Sequence, residues 1–180
     1  MVTSMLPNAD RIPVLPAEEH ARRQRRARSS VSSVWDLLDS ITDPEIPAIS
    51  LWELGVLQDV TQQGDTLVVT ITPTYSGCPA VRVMQEDVSA ALDAAGYADH
   101  RVESRLSPAW STQWITPEGR RKLENWGIAP PADAGNGSAL RCPHCGSEDV
   151  SELSEFGSTA CKALYRCRSC SEPFDYFKSI

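Results

Sequence analysis

Histidine is scarce in this chain, with three in 180 residues, and none of His20, His100 or His144 lies in an obvious partner motif. A His-rich active site is therefore poorly supported, and so is a thiol enzyme that needs a histidine base. The paired Glu-x-x-His helices of a di-iron carboxylate protein are missing. So are the G-x-G-x-x-G and Walker fingerprints of nucleotide binding. No apolar run approaches the ~20 residues that span a bilayer. The opening MVTSMLPNADRIPVLP has no apolar core, and its basic run follows it instead of preceding it, so no secretory signal is read there. A cytoplasmic location is expected. Thiols stay reduced in that compartment, so paired cysteines point to metal and not to disulfides. No internal repeat is visible.

A length of 180 residues with 41% hydrophobic content allows one ordinary core plus one small module. The net charge of −7 is unevenly placed. Residues 1–30 hold six Arg against three acidic residues, a net of +3, and the other 150 residues carry −10. An acidic body disfavours nucleic acid as a partner and suits a basic patch on another protein. Residues 1–30, with three prolines and the run EEHARRQRRARSS, read as a disordered basic tail or the polar overture to a helix.

From residue 31 the pattern becomes regular. Ser30, Ser32 or Ser33 can cap a helix through SVWDLLDSI, with Val34, Leu37, Leu38 and Ile41 at helical spacing and a stop near Thr42 before Pro44 and Pro47. GVLQDVT and TLVVTIT read as strands joined by a turn at Gln63, Gly64 and Asp65. Val81, Met84, Val88, Ala91, Leu92 and Ala95 form a second helical stripe that ends at Gly96. Val102, Ser104 and Leu106 mark a third strand. Thr116, Pro117 and Glu118 then open a short helix that closes at Gly127. The expectation is an α+β fold: a small helix–hairpin–helix–strand sandwich over residues 31–128, then a linker at 129–139 and a separate module at 140–180.

That module carries CPHC at 142–145 and CRSC at 167–170, a C-x2-C-x21-C-x2-C pattern. Two residues between cysteines let both sulfurs of a tight turn face one ion, and two such turns close a tetrahedron. Cys142, Cys145, Cys167 and Cys170 are thus predicted to bind a structural zinc in a ribbon, with DVSELSEF and ALYRC as strands. Two disulfides and a mononuclear iron site are the alternatives. A 40-residue module has too little core to stand alone, so metal supplies the missing stability. His144, inside the first turn, is expected to be an exposed neighbour. Phe174, Tyr176 and Phe177 form either the ribbon's own core or a contact surface. Trp110 and Trp114 are either core or a partner anchor.

Cys78, in PTYSGCPA, precedes the second helix, with Pro79 suited to its first position. A thiol at a helix N-terminus can have a lowered pKa and attack or bind soft metals as thiolate. Thr74, Tyr75 and Ser76 supply hydroxyls at the same mouth. The alternative is a capping loop with an inert cysteine. Asp43 and Glu45, in the polar loop DPEIPAIS, either face Cys78 or, for Asp43, only cap a turn. Cys161 is either a half-buried strand residue or an auxiliary thiol that joins Cys78 in metal handling.

As a set, DPEIPAISLWELGVL, PTYSGCPA, LSPAWSTQWITPEGRRKLENWGIAPP and EFGSTACKALYRCRSCSEPFDYFKSI resemble the small D-subunit family of the phenylacetyl-CoA epoxidase system, from about Val31 to Ile180. The first domain also resembles a wider family of iron–sulfur cluster assembly factors, through Asp43, Pro44, Glu45 and the Cys78–Pro79 turn. The resemblance implies an accessory role in phenylacetate catabolism: assembly or maturation of the metal centre of an oxygenase or reductase component of a multicomponent monooxygenase, without independent catalysis. It implies Cys78 as the functional thiol carrying transient iron or an iron–sulfur cluster, and the four ribbon cysteines as zinc ligands. A scaffold that only docks on the epoxidase components is the alternative. One thiol cannot hold a [2Fe–2S] cluster, which takes four ligands, so a bridging homodimer or help from Cys161 would be required.

Overall fold

The computed structural model of the protein describes residues 17–131 and 139–180. Its central unit is a three-stranded sheet in the order β3–β4–β5, formed by Leu57–Gln63, Thr66–Ile71 and His100–Ser104. β3 and β4 are an antiparallel hairpin whose register sets Val60 opposite Val69, and Gly64 turns the corner at φ +62°. β5 returns parallel to β4 after helix α3, Val81–Ala94. Leu67, Val69 and Ile71 join Met84, Val88 and Leu92 of α3, and Val34 and Leu38 of helix α2 (Ser32–Leu38), in one buried cluster. β4 is buried on its other side too, at Val68 and Thr70.

The helix at 32–38 departs from expectation at both ends. No side chain caps it: Val31 occupies the cap position, and Ser32 and Ser33 lie inside the first turn. It stops at Leu38, where the Ser40 and Ile41 N–H groups turn back to the Leu37 and Leu38 carbonyls, and the Ile41 carbonyl then accepts from the Leu51 N–H at 2.9 Å. The DPEIPAIS segment is a hairpin and not a loop, made of β1 (Thr42–Asp43) and β2 (Ile46–Ser50). Pro47 sits at an exposed place on a two-stranded ribbon, where its missing N–H costs little. Ser50 and Glu53 then cap each other: Ser50 N–H donates to the Glu53 carboxylate at 2.9 Å, and Glu53 N–H to Ser50 Oγ at 3.2 Å. Gly55 follows at φ +79°, with a Cβ there 2.7 Å from Trp114 Cβ, so glycine is required on both counts.

The disordered-tail expectation is corrected for its second half; residues 1–16 lie outside the described residues. Ala17–Ala27 form helix α1, packed along β3. What holds it is Arg22, only 1% exposed. Its guanidinium donates to Glu19 at 2.8 Å and to the carbonyls of Trp52, Leu57 and Trp114 at 2.9, 3.1 and 2.9 Å. It also lies 3.9 Å from the Trp52 ring centroid. Composition marks the segment as solvated, yet a guanidinium can be buried once its donors are met by a carboxylate and carbonyl oxygens.

Trp110 and Trp114 are core, not surface anchors: both are buried, and Trp110 Nε1–H donates to the Leu54 carbonyl at 3.2 Å. A 3-10 turn, Thr112–Trp114, leads to helix α4 (Pro117–Asn125), which Thr116 caps through its Oγ on the Gly119 N–H. The ribbon sheet has the order β6–β9–β8–β7. Strands β7 (Val150–Ser154), β8 (Lys162–Cys167) and β9 (Pro173–Phe177) form its meander. Strand β6, Ile128–Ala129, falls at the expected junction of domain and linker, but it pairs in parallel with Asp175 and Tyr176. The linker residues 132–138 lie outside the described residues. The ribbon aromatics divide. Phe174 belongs to the ribbon's small core with Ala129, Cys142 and Cys167, while Phe177, fully buried, belongs to the main core and stands 5.7 Å from the Trp110 ring.

Arg22→Ala removes a buried charge that donates to Glu19 and to three carbonyls, and leaves Glu19 with Arg23 as its remaining ion-pair partner. It should lower unfolding free energy by roughly 3–5 kcal/mol in urea titration, and Arg22→Lys should lose less.

Candidate functional site

Two sets of thiols occupy separate places. In the ribbon, Cys142 Sγ lies 3.7 Å from Cys170 Sγ, and Cys145 Sγ 3.6 Å from Cys167 Sγ. All four sulfurs fall within 4.8 Å of one another. Sulfurs bound tetrahedrally at about 2.3 Å from one zinc stand about 3.8 Å apart, so the set is of the size for one such ion. The two turns are built alike. Gly146, at φ +75°, returns its N–H to the Cys142 carbonyl at 2.8 Å, and Ser171, at φ 67°, closes the other turn. The Ser147 and Ser169 hydroxyls, 2.7 Å apart, join the turns. The Cys170 N–H, 3.5 Å from Cys167 Sγ, is the main cause that brings the Cys167 thiol down to about 6, toward the thiolate a metal takes. His144 is exposed and outside the sulfur set, as expected. Four cysteines leave no open coordination position, so this arrangement is structural in kind.

The second place is a small, partly open cavity of about 30 Å³, room for a water or a single ion. Asp43, Glu45, Thr74, Cys78 and Cys161 all line it, together with apolar Ile46, Leu54 and Phe177. Residues singled out in three distant motifs of the sequence thus meet at one point. Cys78 is held by a turn in which its N–H donates to the Tyr75 carbonyl at 3.2 Å, between β4 and α3. Asp43 performs both of its suggested roles. Its Oδ1 accepts the N–H groups of Glu45 and Ile46 at 2.8 and 3.0 Å, and the side chain also borders the cavity. Thr74 is buried and Glu45 is exposed at the rim. Cys161 precedes β8 and is held by Thr159 Oγ1, 3.0 Å from its sulfur, and by the Lys178 N–H on its carbonyl at 3.0 Å.

The electrostatics differ from expectation. Helix α3 begins at Val81, with Ala80 as its cap residue, so Cys78 stands two residues before the cap and Pro79 outside the helix. Burial pushes the Cys78 thiol up, and the charges of Asp43 and Cys161 add to this. The N–H groups of Ala80 and Val81 act in the opposite direction and are outweighed. The thiolate of Cys78 is therefore scarcer at neutral pH than that of a free cysteine. Asp43 is likewise pushed up by burial, against the pull of its two backbone N–H bonds.

The fold and sites define an α+β domain with Cys78 and Pro79 ahead of helix α3, joined to a ribbon whose four cysteines are placed to hold one metal ion. Residues 32–104 match the family described as "Iron-sulfur cluster assembly protein". Residues 129–178 match the "PaaD zinc beta ribbon domain". The chain is 48% identical over 158 residues to a protein of Escherichia coli assigned as the D subunit of 1,2-phenylacetyl-CoA epoxidase, a match covering 86% of this chain and 96% of that one. The chain belongs to this epoxidase D-subunit family. It is also 29% identical over 89 residues to an Fe-S protein maturation auxiliary factor of Porphyromonas gingivalis, covering 48% of this chain and 84% of that protein. A crystal structure of a domain of unknown function from Bacillus anthracis, 22% identical, aligns with a TM-score of 0.48 over 58% of this chain and 95% of that one. No helix among the described residues is long and apolar enough to cross a membrane.

Two outcomes follow from the cavity's electrostatics. An acid whose folded pKa is raised weakens the fold once pH exceeds its unfolded value near 3.8. Asp43→Asn keeps the acceptor oxygen without the charge, so at pH 7 it should match or exceed wild type in urea midpoint. Asp43→Ala should lose about 1–3 kcal/mol by stranding the Ile46 N–H. Alkylation of Cys78 by iodoacetamide, followed by peptide mass spectrometry across pH, should show an inflection above that of a free cysteine.

Proposed function

We propose that the chain is an accessory maturation factor of the phenylacetyl-CoA epoxidase system in aerobic phenylacetate catabolism. It assists iron or iron–sulfur centre assembly in an oxygenase or reductase component, with Cys78 as the thiol that holds or passes the metal. The observation that carries this reading is Cys78 itself: a free, half-buried thiol beside Asp43, Glu45 and Thr74 in an ion-sized cavity, inside the segment that matches the iron–sulfur assembly family. Similarity to the epoxidase's D component supports that system as the client.

In this role the cargo metal competes with the proton on Cys78. Burial keeps the thiol protonated and protected until a metal bonds to the sulfur, and the proton then leaves past Glu45 to solvent. Asp43 fixes the turn that shapes the mouth. The ribbon's zinc, held by Cys142, Cys145, Cys167 and Cys170, is structural and takes no part in transfer. The partners are protein components of the epoxidase, in the cytoplasm, and the acidic body has no role for nucleic acid or membrane. An assembled cluster would require a second chain, since four ligands are needed.

The second reading is a docking scaffold without metal transfer, in which Cys78 stays a protonated wall residue. Co-production of the epoxidase oxygenase and reductase components with wild type or Cys78→Ser separates the two. A carrier predicts client components with several-fold less iron and less turnover when the variant is supplied, while the variant keeps its zinc. Equal iron and equal turnover would leave the scaffold as the better account.

A further inference from the structure

The assembly-type domain does not close its own cavity. Thr159, Cys161 and Phe177 of the ribbon form part of the wall around Cys78. This placement is anchored. In the β8–β9 pair Lys162 stands opposite Phe177, so the chain immediately before β8 is carried to the place where Phe177 enters the main core. Cys161 is thereby packed against that core with Cys78. Each of the two thiols is close enough to act electrostatically on Tyr75, and Cys161 on Cys78. Both are free. Two free sulfurs thus line one small space from different walls, and soft thiolates suit a borderline divalent cation.

We propose that the cargo site is an inter-domain dithiol, in which Cys78 from the first domain and Cys161 from the ribbon bind one divalent metal ion together. The proposal rests on the reading of Cys78 as the carrier thiol and adds the second ligand. Binding forms two metal–sulfur bonds and releases two protons to solvent. No electron is transferred. The ribbon thus supplies a ligand besides covering the site, and its structural zinc holds that ligand in place.

Cobalt(II) is the probe, added anaerobically to full-length protein whose ribbon is already loaded with zinc. Wild type should take up one cobalt per chain with zinc retained, and show a near-ultraviolet sulfur-to-cobalt charge-transfer band. Cys161→Ser should keep its zinc, lose about half of the band for one of two sulfurs, and bind cobalt at least about tenfold more weakly. Cys78→Ser should do the same. If Cys161→Ser binds as wild type while Cys78→Ser does not, the dithiol is overturned and the carrier reading of Cys78 stands. If wild type takes up no cobalt, or Cys78→Ser binds as well as wild type, both fall. Should Cys161→Ser not fold, phenylarsine oxide tests the wild-type protein directly. It condenses with two neighbouring thiols to a cyclic dithioarsenite with loss of one water. A single adduct linking the Cys78 and Cys161 peptides is expected, and an adduct on neither or on one alone overturns the pair.

Discussion

The insertion of Phe177 into the main core is the contact on which the rest of the arrangement depends. A ribbon whose own buried cluster is Ala129, Cys142, Cys167 and Phe174 has little apolar area of its own. By placing Phe177 next to Trp110, and by pairing β6 with β9, it shares the burial of the larger domain. The two modules then behave as parts of one structure and not as beads on a linker. Everything at the Cys78 cavity that comes from the ribbon, Cys161 included, is placed by that one side chain and the strand register around it.

This arrangement sets the chemistry of Cys78. A thiol near exposed helix amides would be activated, and the N–H groups of Ala80 and Val81 do act in that sense. The cover contributed by the ribbon and by Ile46 and Leu54 removes water from the same sulfur, and the desolvation outweighs the amides. The result is a guarded thiol instead of a reactive one. A permanently ionised cysteine would be open to oxidation and to any passing soft metal, whereas a protonated one yields only to a ligand that can displace the proton.

The two thiol sets divide the labour by geometry. In the ribbon, four sulfurs already stand at tetrahedral spacing and close the coordination sphere. At the cavity, Cys78 and Cys161 line a small space together with Asp43, Glu45 and apolar side chains. Asp43 is held by its own turn, which fixes that part of the wall.

The amino-acid sequence by itself determined the elements whose signals are local. The hairpin around Gly64, the apolar stripe from Val81 to Leu92, the Thr116–Pro117 helix start and the C-x2-C pairs each depend on residues within a few positions of one another. Asp43, Glu45, Thr74, Cys78 and Cys161 were nameable because each lies in a motif, whereas the lining residues Ile46, Leu54 and Thr159 carried no such signal. Tertiary structure decided what depends on distant partners. Arg22 became a core residue because three carbonyls from residues 52, 57 and 114 converge on it, and no composition of residues 1–30 contains that information. The 42–50 hairpin was hidden because two prolines speak against a strand locally, while its pairing is set by a bond between Ile41 and Leu51 and by burial of Ile46 and Ile49. The Cys78 pKa took its sign from burial, to which the distant ribbon contributes, and not from the neighbouring helix. Local covalent spacing can specify a turn or a metal knuckle, but desolvation is a property of whatever packs against a group, and only the folded chain settles that.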